Sequence, residues 1–427
     1  MSLCVNDRRN HLHVPSSLDL SPEIDLMAPR RAQRNRFSIG FRGGALYWRP
    51  GGPAVAPGYG QMVNLGLTMK LGTFYMPLHP PEKSRTECFD EDTQFVIDAE
   101  ALGFTEAWCG HHLTLEWEPI VSNDVFVANL IARTHRIKLG LGVSIMPQHH
   151  PVNVAARVAL LDHLSHGRIY WGFGQGGVPT DWDLFDLPEP KIQAQMTAEA
   201  HEIVLKLWTQ EPPFKFEGKF WTVKMETPNP QLKMGYVLKP YQKPHPPIGM
   251  TLVSGQSKGG LVGGKLGYMP LSTNLVHRDV VTEHWKTYTQ GALDAGRPAP
   301  DRDIWRVSRS IYVGESNDEA WDFCLNSAFG RSFEYLIALL RRAEMIHLMK
   351  HDPSLSDDDV TVEYALKQTC IIGDKASCIC QLEDLWDVTG GFGTLLFIKH
   401  DFDDFNRWQR CMKVLSDEIV PAMPVIG

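Results

Sequence analysis

The chain has 427 residues, 43% of them hydrophobic, enough to bury the core of one large barrel or of two ordinary domains. A formal charge of −8 supplies no basic field for a phosphate polymer or an anionic membrane surface, which argues against nucleic acid as a partner. No apolar run approaches the roughly 18 residues that cross a bilayer, and the eight cysteines are scattered, two of them in a CxC at Cys378 and Cys380 that suits neither a zinc knuckle nor a redox dithiol. A cytoplasmic protein with reduced cysteines is the expectation.

The first 68 residues stand apart, with eight arginines, no lysine and four acidic residues. Arginine clusters are one mark of a targeting leader, but no sustained amphipathic helix accompanies them, and Asp19, Glu23 and Asp25 interrupt the run. A disordered extension over 1–68, or a start at Met69, is expected, with the folded domain at 69–427. From residue 70, short apolar runs alternate with amphipathic stretches, the pattern of a parallel α/β sheet with helical crossovers. Strands are predicted at 70–76, 106–110, 137–146 and 169–174, and helices at 92–102 and 124–134. The third helix is the best defined: Pro151 suits a first turn, Val154, Val158, Leu161 and Leu164 form one apolar stripe, and Gly167 stops it. Residues 176–247 then break the rhythm with a helix at 197–209, an apparent hairpin near 216–223 and a proline-rich exit. A long insertion after a barrel strand usually covers the active-site mouth, so 176–247 is read as a lid. The alternation resumes with strands at 248–253, 267–271 and 305–313 and a helix at 279–295. A largely helical region to about 366 precedes the closing units at 369–372, 375–388, 394–398 and 402–419.

Residues 149–177, HHPVNVAARVALLDHLSHGRIYWGFGQGG, resemble the segment of bacterial luciferase-like flavoenzymes in which an HP turn leads to the third helix and a GR pair to the fourth strand. The closing IIGDKASCICQLEDLWDVTGGFGTLLF is similar to that superfamily's penultimate unit. With KLGTFYM at the start and a histidine pair after the second strand, the resemblance spans about residue 70 to the C-terminus. HLTLEWE at 112–118 and GQGG at 174–177 look nearest to two-component, FMNH2-using oxygenases of the diketocamphane and limonene types. The resemblance implies a (β/α)8 TIM barrel with a long insertion after the fourth strand and a helical one after the seventh. It also implies a monooxygenase that takes FMNH2 from a separate NAD(P)H:flavin reductase, forms a C4a-peroxide with O2 and oxygenates a small ketone, aldehyde, alkene or aromatic. A homodimer is common in the superfamily. An F420-dependent oxidoreductase on the same fold is the alternative, and a metal-dependent barrel hydrolase a more distant one.

His111 and His112 directly follow the second predicted strand, at what a barrel makes its catalytic, C-terminal face. An unperturbed pKa of about 6.5 lets imidazole accept and donate protons near neutrality. The family commonly reads Glu-His-His here, with one histidine beside the flavin, whereas Gly110 stands in this chain where the glutamate would be. The bland alternative is that both rings bond backbone carbonyls at a strand end. His149 and His150 follow the third strand, but no HExxH is present and adjacent histidines diverge, so no metal is expected and His150 is read as shaping the start of the third helix.

A mononucleotide phosphate needs amides and hydroxyls at a helix N-terminus. Ser254, Gly255, Gln256 and Ser257 offer them after the fifth strand, and match where the family holds the FMN phosphate; a plain helix cap is the alternative. The helix that follows, KGGLVGGKLG, is unusually rich in glycine, each residue costing about 1 kcal/mol against alanine. Gln175 in the GQGG run is expected to bond the flavin ring, and Ser144 to face the same mouth. In the family the strand carrying Ser144 also holds a non-prolyl cis peptide beside the flavin.

Overall fold

The computed structural model describes residues 69–401 and 403–423, and the extension expected over 1–68 lies outside the described residues. Its first half runs β1 (Lys70–Tyr75), α1 (Arg85–Ala101), β2 (Glu106–Cys109), α2 (Asn123–Ile131), β3 (Lys138–Ile145), α3 (Pro151–Leu164) and β4 (Ile169–Gly174). Two helices, α4 (Pro179–Leu184) and α5 (Pro190–Thr209), and an antiparallel hairpin, β5 (Phe214–Glu217) with β6 (Thr222–Met225), follow. The second half runs β7 (Ile248–Leu252), α6 (Lys258–Leu266), β8 (Met269–Ser272), α7 (Arg278–Asp294) and β9 (Arg306–Val313). It closes with α8 (Asn317–Asn326), α9 (Ala328–Arg342), α10 (Val362–Thr369), β10 (Cys370–Gly373), α11 (Lys375–Thr389), β11 (Thr394–Ile398) and α12 (Phe405–Val414).

Eight of these strands form a closed parallel barrel in the order β1, β2, β3, β4, β7, β8, β9, β11, with β11 returning to β1. β10 stands outside the ring, paired with the last four residues of β9 from Ser310 to Val313. A parallel ring puts every strand's C-terminal end on one rim, so the loops after β2, β3, β4 and β7 share a single face.

The barrel interior has an uneven filling. Trp108 on β2 is fully buried, and the neighbouring strands meet it with glycine: a Cβ at Gly249 would stand 2.6 Å from the indole, and one at Gly140 closer still. One large ring thus takes space that several branched side chains usually share. Beneath it, Arg306 crosses the interior to Glu106 through two hydrogen bonds of 2.9 and 3.1 Å, and the Trp108 indole N–H donates to the same carboxylate at 2.8 Å. The fork geometry satisfies a charge pair that would otherwise be costly to bury.

Packing explains Gly264 of α6. A Cβ at Gly264 would be driven into the carbonyl oxygen of Tyr288 on α7, and one at Gly291 on α7 into that of Leu261. The two backbones touch where side chains would normally separate them, so weak helix propensity is exchanged for close approach.

The segment 176–247 divides into parts. α5 begins at Pro190, earlier than the predicted 197: its first turns mix polar and apolar residues without an apolar stripe, and only Gln193 among them is buried. It buries Ile203, Val204, Leu207 and Trp208, packs against α3, and donates a hydrogen bond from the Trp208 indole to the Ala155 carbonyl at 3.0 Å. α5 is therefore the barrel's own fourth helix. The hairpin turn is fastened to it by Glu199, which accepts from the amides of Lys219, Phe220 and Trp221 at 2.8 to 3.0 Å. Within 176–247, it is Thr180 and Asp181 of α4 that bond to the loop after β2.

Candidate active site on the barrel rim

β2 ends at Cys109, and Gly110 hydrogen-bonds back to the Tyr75 carbonyl at 3.1 Å. A Cβ at position 110 would stand 2.6 Å from the Met76 sulfur, so a glutamate here would have to displace Met76. The two histidines that follow point to different surroundings. His112 lies between two carboxylates, with Nε2 3.5 Å from Glu118 and Nδ1 3.5 Å from Asp181. These are ion-pair distances, longer than a good hydrogen bond. Asp181 is held in place by the Leu113 amide at 3.3 Å and the Thr114 hydroxyl at 2.5 Å. Burial favours the neutral imidazole, but Glu118 and Asp181 outweigh it and raise the His112 pKa. Asp181 is held below its ordinary value: burial opposes this, and the neighbouring His112 ring with the bonds from Thr114 and Leu113 prevails. Glu118 has fewer partners, and burial pushes its pKa up.

His111 has no such counterions. Burial, then repulsion from His112 and His149, pushes it down to about 4, and its Nδ1 has no partner among the described residues. It borders a cavity of about 80 Å³ between β3 and the helices α2 and α3, with Gln148 and His149 on the polar side and Leu141, Val158 and Phe185 on the apolar side. Ser144 lines the same cavity, and its hydroxyl accepts from the Trp171 indole at 3.2 Å. The β3–β4 register shifts between Leu141 and Ser144, and the Gly142–Val143 peptide there is cis. Asn123 ties this point to β2, donating to the carbonyls of Cys109 and Val143 at 3.0 and 3.1 Å. His150 caps α3, accepting from the Val152 amide at 3.3 Å, directly before Pro151.

Three strands around the ring, the loop after β7 carries Ser254, Gly255, Gln256 and Ser257. Ser257 caps α6 by accepting from the Gly260 amide at 3.1 Å, and its own amide donates to the Ser254 carbonyl at 3.2 Å. Thr287 on α7 donates to the Gly255 carbonyl at 2.7 Å, and a Cβ at Gly255 would crowd Glu283. The first amides of a helix lack intrahelical acceptors; here those of Gly260 and Leu261 turn back to Ser257, and those of Lys258 and Gly259 have no acceptor among the described residues. Gln175 follows β4 and is half-buried.

A family model described as luciferase-like monooxygenase matches residues 69–427. The chain belongs to the luciferase-like monooxygenase family. 3,6-Diketocamphane 1,6-monooxygenase of Pseudomonas putida is 26% identical over 377 residues, covering 84% of this chain and 99% of the relative. Limonene 1,2-monooxygenase of Rhodococcus erythropolis is 27% identical over 354 residues, covering 82% and 85%. A solved structure described as a type II Baeyer–Villiger monooxygenase, the oxygenating constituent of 3,6-diketocamphane monooxygenase from Pseudomonas putida in complex with FMN, matches with a TM-score of 0.77 at 25% identity. That likeness covers 84% of this chain and 100% of the other.

Several polar residues of this luciferase-like monooxygenase had no sequence signal as site residues. Glu118 lies within the HLTLEWE run, but only folding shows that its carboxylate turns back to His112. Asp181 reaches the same ring from α4. Beyond β11, His400 accepts or donates at 2.9 Å to Ser310, which also receives the Asn274 amide at 3.1 Å. Burial, then the charges of His79 and Lys399, pushes His400 down to about 3. Possible ligand atoms of His79, Glu91 and Asp401 lie within 4.8 Å of one another, and the Lys83 ammonium already bonds both carboxylates, at 2.7 and 2.8 Å.

Proposed function

We propose that this luciferase-like monooxygenase uses FMNH2 and O2 to oxygenate a small organic substrate, a ketone, aldehyde, alkene or aromatic, with reduced flavin supplied by a separate reductase. The observation that carries the reading is the shared rim: one parallel ring aims the amide-rich loop after β7 and the buried His111 after β2 to the same face. Bound and reduced, FMN would supply the electrons that activate O2. The chain's own residues bind and orient it. Ser254 and Ser257 offer hydroxyls, Lys258 and Gly259 offer amides and the helix dipole of α6, and together they suit a dianionic phosphate. The glycines around Gln175 leave room for a flat ring to approach backbone. His111, kept neutral, accepts a hydrogen bond at one ring nitrogen while donating one from the other. The His112 ion pair with Asp181 fastens α4 beside the histidines, and Phe185 lines the cavity from the same segment, so 176–189 is the part of the insertion that would exclude water.

The G-x-G-x-x-G spacing from Gly172 to Gly177 begins inside β4 rather than in the turn from a strand to a helix, so it lacks the setting of a dinucleotide fingerprint, which supports an external reductase. No helix among the described residues is long and apolar enough to cross a membrane. The test is product formation from a panel of small ketones, aldehydes, alkenes and aromatics, with FMN and NADH, with and without a flavin reductase. Product that needs both the reductase and O2 is expected. Full turnover without the reductase would refute the two-component reading, and turnover under anaerobic conditions would favour a hydride-transferring deazaflavin enzyme.

A further inference from the structure

We infer that the cavity beside His111 is a binding subsite for an uncharged group that carries a hydrogen-bond donor and an acceptor on neighbouring atoms, such as a lactam or an α-hydroxyketone, with an apolar remainder. It deepens the proposed oxygenase reading by naming the group the substrate would present there.

The argument starts from which polar atoms around the cavity are already committed. Asn123 is spent on the carbonyls of Cys109 and Val143, and Ser144 on the Trp171 indole. Asp124 is paired with Arg157 at 3.1 Å and accepts from Ser122, so the two charges neutralise each other. Three residues remain, His149 half-buried and Gln148 and His111 buried. Gln148 is 8% exposed and His111 7% exposed, and among the described residues neither amide atom of Gln148 nor Nδ1 of His111 has a partner. Buried polar groups are almost always paired, so three unpaired atoms at one cavity point to something that pairs them.

Chemistry narrows what that is. A carboxamide presents N–H donors and a carbonyl acceptor side by side, and its best match is another donor–acceptor pair, which forms two parallel hydrogen bonds. A ketone would satisfy the N–H and leave the carbonyl bare. A carboxylate would have to compete with Asp124 for Arg157, and an ammonium with Arg157 for Asp124, because each charge of the wall is already paired with the other. The remaining wall, Leu141, Val154, Val158 and Phe185, suits hydrocarbon. The volume of about 80 Å³ is several times the roughly 10–15 Å³ that one water needs, yet well below the ~300 Å³ of a drug-sized pocket, so it admits a small ring or the end of a larger molecule.

The test uses the full chain free of flavin, with 2-pyrrolidinone as the probe and cyclopentanone and cyclopentanecarboxylate as controls, followed by saturation-transfer NMR. The lactam is expected to bind at least fivefold more tightly than the ketone, and the carboxylate not measurably. Gln148→Leu should erase the lactam's advantage, and Val158→Phe, which fills the cavity from the apolar side, should abolish binding of both rings. Equal binding of lactam and ketone, lactam binding unchanged in both variants, or no lactam binding at all would overturn the inference. FMN affinity, measured separately by flavin fluorescence, keeps the two readings apart: loss of lactam binding with FMN binding intact sinks only the subsite, and the reverse sinks only the proposed flavin site.

Discussion

Replacing Gly264 by alanine sets two opposed effects against each other, and the structure decides the sign. Helix propensity alone favours alanine by about 1 kcal/mol. Against this, the new methyl would collide with the Tyr288 carbonyl oxygen, a backbone atom that has no rotamer by which to move aside. Overpacking of this kind typically costs 1–3 kcal/mol, and a clash with fixed backbone belongs at the upper end, so Gly264→Ala should destabilise by about 1–2 kcal/mol net. Gly259→Ala is the control: its Cβ would find nothing closer than 3.7 Å, and it should be neutral or slightly stabilising. Urea midpoints at constant m-value measure both. A second consequence reaches function. α6 must shift off α7, which moves Ser257 and the free amides, so FMN affinity should fall about tenfold, ~1.4 kcal/mol, while riboflavin, which lacks the phosphate, binds as before. A Gly264→Ala protein as stable as the wild type would refute the packing argument, and equal losses for FMN and riboflavin would refute the phosphate assignment.

Other expectations follow from the same geometry. His112→Ala leaves Glu118 and Asp181 buried without their shared cation and should cost about 3–5 kcal/mol in urea unfolding, whereas His111→Ala should keep the fold and lose turnover. Because burial and its histidine neighbours hold His111 near 4, kcat/KM should stay flat from pH 8 down to about 5; a limb near 6.5 would mean His111 is not held neutral. His79 shows the opposite sign. Burial opposes its charge, but Asp92 and Asp401 raise its pKa to about 10 against 6.5 unfolded, so its contribution is complete below about pH 6.5 and fades as pH rises to 10. The gap corresponds to a gross ~5 kcal/mol, and urea titrations at pH 7 and pH 10 should show a loss that His79→Gln removes. Trp108→Ala should cost about 3–5 kcal/mol, since the glycines around the indole have no side chains to fill the hole.

Periodic and punctuated stretches could be read directly from the sequence. α3 begins at Pro151 and ends before Gly167, because proline, one apolar stripe and a glycine with φ of 80° each act locally. The cap by His150 follows from its place before Pro151. What escaped depends on contacts between distant residues. The start of α5 was missed because its first turns carry no apolar stripe, and the residue they bury is the polar Gln193. Gly264 of α6 looked like a weakness until α7 supplied the reason for it. At the site, the pair His111–His112 was visible as a pair, but not its division into a ring clamped by two carboxylates and a ring facing a cavity. That division is set by Glu118 and Asp181, which share no spacing rule with either histidine.

The central claim is that one flavin mononucleotide bridges the rim between the loops after β2 and β7. Hydrogen–deuterium exchange of the full chain with and without FMN measures this most directly. The account predicts that FMN slows exchange together at the amides of 110–114 and of 255–260, with half-maximal protection at the same FMN concentration. Protection confined to one loop, or protection elsewhere on the molecule with both loops unchanged, would contradict it.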